Sequence, residues 1–127
     1  LNRRREIFAA YNQAFENEEL IIQPTFKSET KESSYHLYMI RVKNATEAQR
    51  DEIINLIFDQ HVSVNVHFQP LPLLTAYKTR GFQMDDYPVA FNKYQNEITL
   101  PVYFNLTDDN LKTITKAVIN AVNSVMY

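Results

Sequence analysis

The chain contains no cysteine and a single glycine, Gly81, among its 127 residues. Without cysteine there is no disulfide and no thiolate metal site, a composition that suits a reducing cytoplasm without requiring one. Average glycine usage of about 7% would place roughly nine in a chain of this length. Phosphate cradles such as the P-loop and the dinucleotide-binding turn need glycine so that the backbone can bend sharply and approach the phosphate, so neither is built from these residues. Long apolar runs are missing too. None approaches the roughly 20 residues of a membrane span, and Leu1 to Arg5 lack the apolar core of a signal peptide. Nor does one charge predominate: 13 basic and 15 acidic side chains are interspersed, for a formal charge of -2. That balance leaves no electrostatic footprint for nucleic acid or an anionic membrane. At 45% hydrophobic, the chain suits one soluble, cytoplasmic globular domain around a single core.

Apolar periodicity outlines the elements. From Arg4, Ile7, Phe8, Tyr11, Ala14 and Phe15 recur at spacings of three and four, predicting a one-sided helix that ends near Glu18. Arg3, Arg4 and Arg5 stand at its positive dipole end, which is unfavourable unless more helix lies upstream; alternatively Asn2 caps a true start and the arginines are solvated. Truncation would account for both the arginines and the absence of an initial Met. Leu20 to Phe26 is an extended apolar stretch broken by Pro24, and Lys27 to Ser34 has loop composition. Tyr35 to Val42, dense in aromatic and β-branched residues, predicts a strand.

Thr46 with Gln49 forms a capping box before a helix whose buried face is Ile53, Ile54, Ile57 and Phe58. Val62 to Phe68 alternates apolar and polar residues and predicts a second strand with one buried face. Gln69 to Gly81, with Pro70 and Pro72, is a loop with a short helical turn near Leu73 to Lys78. Asp85, Asp86 and Pro88 signal a helix running to about Asn96. Ile98 to Phe104 predicts a third strand, at an edge or ending near Pro101. Thr107, Asp108 and Asp109 open a last helix with the apolar stripe Leu111, Ile114, Val118, Ile119, Val122 and Val125. The expected order is α-β-α-β-α-β-α in one domain, residues 1–127.

The segment Val64 to Lys78, VNVHFQPLPLLTAYK, holds the most chemistry: a strand presenting Asn65 and His67 feeds a proline-stiffened loop, a common place for binding residues. On the residues alone, His67 is more simply a hydrogen-bonded structural histidine, and His36 is read the same way. His61 reads as a cation favoured by a helix C-terminus. His61 and His67 lack the companions of a metal site, and no metal is expected. Asp85-Asp86 and Asp108-Asp109 are helix caps rather than catalytic dyads. Asn44-Ala45-Thr46 and Asn105-Leu106-Thr107 match the glycosylation sequon, but their threonines serve as caps.

That segment, with YHLYMIRVK at Tyr35 to Lys43, RDEII at Arg50 to Ile54, NEITLPVYFNLTDDNL at Asn96 to Leu111, and the helix RRREIFAAYNQAF, resembles the C-terminal end of the DegT/DnrJ/EryC1/StrS aminotransferases. The similarity runs through essentially the whole chain in order. It implies the small domain of a fold-type I aminotransferase: an α/β sandwich with a small three-stranded, largely antiparallel sheet covered by helices. In that family pyridoxal phosphate (PLP) forms a Schiff base with a lysine of the large domain, and an amino group passes from glutamate to a keto-sugar attached to a nucleotide. The resemblance implies substrate contacts from His67 and Phe68, with Tyr77, Tyr35 and His36 as further candidates. It also implies a homodimer of the full-length enzyme, with PLP bound mainly outside this segment. Where many relatives read Pro-Leu-His, this chain reads Pro70-Leu71-Pro72, so any role of that histidine is lost.

None of the seven lysines, at positions 27, 31, 43, 78, 93, 112 and 116, is placed by pattern for a depressed pKa beside a phosphate site, so the segment by itself is expected to be inactive. The rival expectations are a free-standing α/β ligand-binding or regulatory module and a scaffold domain that mediates dimer contacts.

Overall fold

Two helices begin with the same device. Thr46 Oγ1 accepts the N–H of Gln49 while the Gln49 side chain accepts the N–H of Thr46, and Thr107 and Asn110 repeat this reciprocal arrangement. Each box satisfies two of the backbone donors that a helix start leaves without intrahelical partners. The computed structural model describes residues 1–127, and in it these boxes open α2 (Glu47–Asp59) and the terminal helix α5 (Asp108–Met126). The other helices are α1 (Asn2–Ala14), the single turn α3 (Thr75–Lys78) and α4 (Pro88–Tyr94), where Pro88 occupies the first turn and costs no hydrogen bond. Short 3-10 turns at Leu71–Leu73 and Met84–Asp86 precede α3 and α4. No helix is long and apolar enough to cross a membrane.

Three strands form an antiparallel sheet in the order β1-β2-β3: β1 (Ile21–Ile22), β2 (Tyr38–Val42) and β3 (Glu97–Leu100). Alternation assigns the two faces of β2. Tyr38, Ile40 and Val42 are buried in the core, whereas Met39 and Arg41 are half-buried on the opposite face. The register pairs Met39 with Thr99 and Arg41 with Glu97, so these four residues share that second face. The core side is covered by α1 through Ile7, Phe8, Tyr11 and Phe15, by α2 through Ile53 and Ile57, and by the stripe of α5. Ile54, Ile119 and Val125 pack at its margin, and Phe58 is exposed.

The expected fold class is present, but its strands are not the three that periodicity suggested. Val62 to Phe68 does not pair as a strand; it touches the sheet at one bridge, where Asn65 and Thr99 exchange backbone bonds of 3.1 and 2.7 Å. Beyond that point side chains capture the donors a ladder would use. Asn65 Oδ1 accepts the Val66 N–H, and Glu97 Oε2 accepts the His67 N–H at 3.0 Å. The third strand is instead the short β1 from the Leu20 to Phe26 stretch. The strand expected from Tyr35 begins at Tyr38, because Tyr35 adopts a left-handed turn with φ 55° and donates its N–H to Ser33 Oγ. β3 stops at Leu100, just before Pro101, which has no N–H to extend a ladder. α1 ends at Ala14, four residues before Glu18. His61 follows α2 in a left-handed conformation, φ 60°, and donates its N–H to the Phe58 carbonyl.

Candidate functional site

The second sheet face is the floor of a depression of about 500 Å3. Met39, Arg41 and Glu97 form the floor, the end of β1 from Ile22 to Thr25 one side, and Ala90, Lys93 and Tyr94 of α4 another. His67, Phe68 and Pro70 close the remaining side. The irregular path of residues 65–70 therefore has a consequence: a regular strand would have continued along the free edge of β3, whereas the actual loop leaves it after Asn65 and brings His67, Phe68 and Pro70 to the border of this face.

Glu97 organises this corner. It is 6% exposed, and its two carboxyl oxygens take the His67 N–H and the Thr99 hydroxyl. Burial raises its pKa above the usual 4.5, against the opposing pull of the Thr99 and His67 hydrogen bonds and the more distant positive charge of Arg50. A folded-state pKa above the unfolded one means that the native protein holds this proton more tightly, so Glu97 costs stability as pH rises through that window. Glu97→Gln mimics the protonated carboxyl and keeps an acceptor for His67. It is expected to flatten the decline in stability between pH 4.5 and neutrality, measured by urea unfolding across pH. An unchanged slope would show that Glu97 does not carry the effect.

His67 sits between this depression and a smaller one that it shares with His36 and Asn65. Its ring meets Phe68 edge-on at 4.7 Å, and the peptide joining the two residues is cis. Nδ1 of His67 is buried with no hydrogen-bond partner in the protein. Phe68 is 74% exposed, a large apolar ring at the rim. The structure thus brings His67, Phe68 and His36 to neighbouring concavities. It places Tyr35 elsewhere, 4% exposed in the core against Phe8 and Phe26, with its hydroxyl bound to Glu32. Tyr77, on α3, packs edge-on against Phe82 at 5.8 Å and lies outside both depressions.

Sequence reasoning passed over Arg41, Glu97 and Tyr94. Arg41 sits within a strand pattern where one reads an outward, solvated charge, and Glu97 falls just ahead of the strand expected from Ile98; only the register places them on one floor. Tyr94 is held from behind by Arg50, whose guanidinium lies 4.9 Å from the ring centroid and donates to the Tyr94 carbonyl at 2.9 Å. Glu47 completes this latch by accepting from both the Tyr94 hydroxyl and Arg50.

All seven lysines are exposed. A lysine that carries PLP is commonly desolvated or flanked by cations, and none of these lysines is buried.

The DegT/DnrJ/EryC1/StrS aminotransferase family model matches residues 1–119. An uncharacterized protein of Methanocaldococcus jannaschii is 38% identical over 118 residues, covering 91% of this chain and 30% of that protein. The spore coat polysaccharide biosynthesis protein SpsC of Bacillus subtilis is 30% identical over 119 residues, with the same coverage of 91% and 30%. Among solved structures, a Streptococcus pneumoniae protein described as a sugar aminotransferase, in its PLP form, superposes with a TM-score of 0.95 at 39% identity. The match covers 99% of this chain and 32% of that one. The chain thus spans about 30% of the length of the curated relatives it matches. With the family model matching residues 1–119 and the same fold in a solved relative at 39% identity, this chain belongs to the DegT/DnrJ/EryC1/StrS aminotransferase family.

Proposed function

We propose that residues 1–127 are the C-terminal small domain of a PLP-dependent sugar aminotransferase, and that the depression beside His67 is this domain's share of the substrate cleft. The observation that carries the reading is the His67 imidazole, with a buried, unpartnered nitrogen at the edge of a concavity rimmed by the exposed Phe68 ring. A buried polar atom without a partner is uncommon in native proteins, and a ligand reaching His67 as the cleft forms would supply one. The substrate is a nucleotide-linked keto-sugar aminated at the expense of glutamate, for surface polysaccharide synthesis. The name of the B. subtilis relative supports a place in polysaccharide synthesis, and the description of the S. pneumoniae structure supports a sugar substrate.

PLP, carried by the lysine of a preceding large domain, supplies the electron sink for amino transfer. The residues of this chain bind and shield. Phe68 and Pro70 offer apolar surface to a sugar ring, His67 presents a hydrogen-bonding group, and Glu97 fixes the His67 backbone so that the imidazole stays at the rim. A cytoplasmic homodimer of the whole enzyme and an inactive isolated segment belong to the same proposal.

Two measurements test it. The reading frame upstream of Leu1 should encode a PLP-lysine domain; its absence from the gene would end the small-domain reading. In the enzyme containing that domain, His67→Asn is expected to lower kcat/KM by about 10- to 100-fold, the worth of one buried hydrogen bond to a polar group. Unchanged kcat and KM would remove His67 from the cleft.

A further inference from the structure

The floor of the depression holds a cation that has no partner. Arg41 is half-buried on the sheet, and it makes no side-chain hydrogen bond and no ion pair. Its cross-strand neighbour is Glu97, the arrangement in which opposite charges usually meet. Glu97 instead directs its oxygens to Thr99 and the His67 N–H, and it is the sole acidic residue lining the depression. Lys93, near the end of α4, faces the same space and is equally unpaired. Two cations therefore border one concavity whose single carboxylate, Glu97, pairs with neither, and whose other lining residues include Ile22, Pro24, Met39 and Phe68.

Arginine offers five donors in a planar fork that matches an oxyanion, and holding that fork partly buried without a partner is unfavourable unless something else supplies the negative charge. The volume of about 500 Å3 lies within the range of small-molecule sites and exceeds what a lone carboxylate would fill. We infer that Arg41 and Lys93 form an anion subsite for a phosphoryl group, with Arg41 as the bidentate contact and Lys93 as a second point charge. This deepens the cleft assignment above and rests on it only for the identity of the natural ligand, a diphosphate linked to a sugar. The apolar lining would take the body of the ligand while the two cations take its charge.

The probe is inorganic pyrophosphate, titrated at low salt into the 127-residue chain while backbone amide shifts are followed by NMR. Saturable shifts are expected at Gln23, Thr25 and Lys93 to Glu97. Arg41→Gln should weaken binding by about tenfold or more and Lys93→Gln by a few-fold, as charge-assisted hydrogen bonds and point charges differ. Arg80→Gln, an exposed arginine outside the depression, should change nothing. Thermal melts of each variant separate loss of binding from loss of fold. Non-saturable shifts, equal affinity for wild type and Arg41→Gln, or an equal loss with Arg80→Gln would overturn the subsite. Tighter binding of glutamate than of pyrophosphate would overturn the phosphoryl assignment in favour of a carboxylate. Pyrophosphate needs no PLP domain, so a failure here leaves the His67 kinetics to stand or fall separately. Likewise, pyrophosphate binding in a chain whose His67 proves inert would retain the anion subsite without the sugar cleft.

Discussion

Phe8→Ala should destabilise the domain by about 3–5 kcal/mol, the usual cost of truncating a buried phenylalanine, and should be the most damaging single change in α1. Phe8 is 1% exposed and its ring meets three others edge-on: Phe26 at 5.4 Å, Tyr35 at 5.0 Å and Tyr38 at 4.9 Å. Each such pair adds about 0.5–1.5 kcal/mol beyond area burial. Collapse into the cavity is limited because the neighbouring rings are held by polar ends. The Tyr38 hydroxyl donates to Asn12 at 2.5 Å and the Tyr35 hydroxyl to Glu32 at 2.7 Å. Urea unfolding at pH 7 reads the change directly, and the melting temperature should drop by roughly 10–20 °C for a domain of this size. Phe58→Ala, at a ring that is 45% exposed, serves as the comparison and should lose much less. A loss below about 1.5 kcal/mol for Phe8→Ala would mean that the aromatic cluster is looser than its geometry implies.

The second large effect is expected at Arg50, which is 2% exposed yet charged. Its carboxylate partners do not account for the cost of removal. Asp51 at 2.6 Å and Glu47 at 3.4 Å are 60% and 42% exposed, so water solvates them once the arginine is gone. The loss comes from the buried volume of the side chain and from the Tyr94 carbonyl left without its donor. Together these are worth about 2–4 kcal/mol, less than for a fully buried ion pair. Arg50→Lys, which keeps the charge but not the flat stacking on Tyr94, should recover only part of it. Because the latch holds the end of α4, Arg50→Ala should also weaken pyrophosphate binding through Lys93, whereas Phe8→Ala acts from the opposite side of the sheet. A double-mutant cycle with Tyr94→Leu checks the linkage. Strict additivity of the two changes would show that Arg50 and Tyr94 do not act as a unit.

Both changes touch residues whose roles were legible to different degrees. Phe8 lay within a clear three-and-four spacing, and a burial of that kind follows from local periodicity. Arg50 was read only as part of RDEII, since nothing in a helical pattern marks a charged residue as buried. Its environment is supplied by Tyr94, 44 residues later. The same contrast holds at the candidate site. His67 and Phe68 stood out because the resemblance and the proline-stiffened segment both pointed to them. Arg41 did not, because an arginine within YHLYMIRVK reads as an outward residue of a half-buried strand.

Local patterns were sufficient for the helices. Capping boxes and apolar spacing are interactions within a few residues, so the starts of α2 and α5 and the buried face of α1 could be read in order along the chain, whereas the strand expected to run to Phe104 stops at Leu100. The ordered motifs likewise placed the chain in its family. What local pattern could not decide was which extended segments pair. Val62 to Phe68 has the alternation of a strand, but Asn65 and Glu97 claim its N–H groups; Ile21–Ile22 has little pattern at all, yet it gains a neighbour in β2. Pairing and register depend on partners far away in sequence, and here they determine the site: only the antiparallel register of β2 and β3 places Arg41 beside Glu97, and only Glu97's turn toward His67 and Thr99 leaves that arginine free at the floor of the depression.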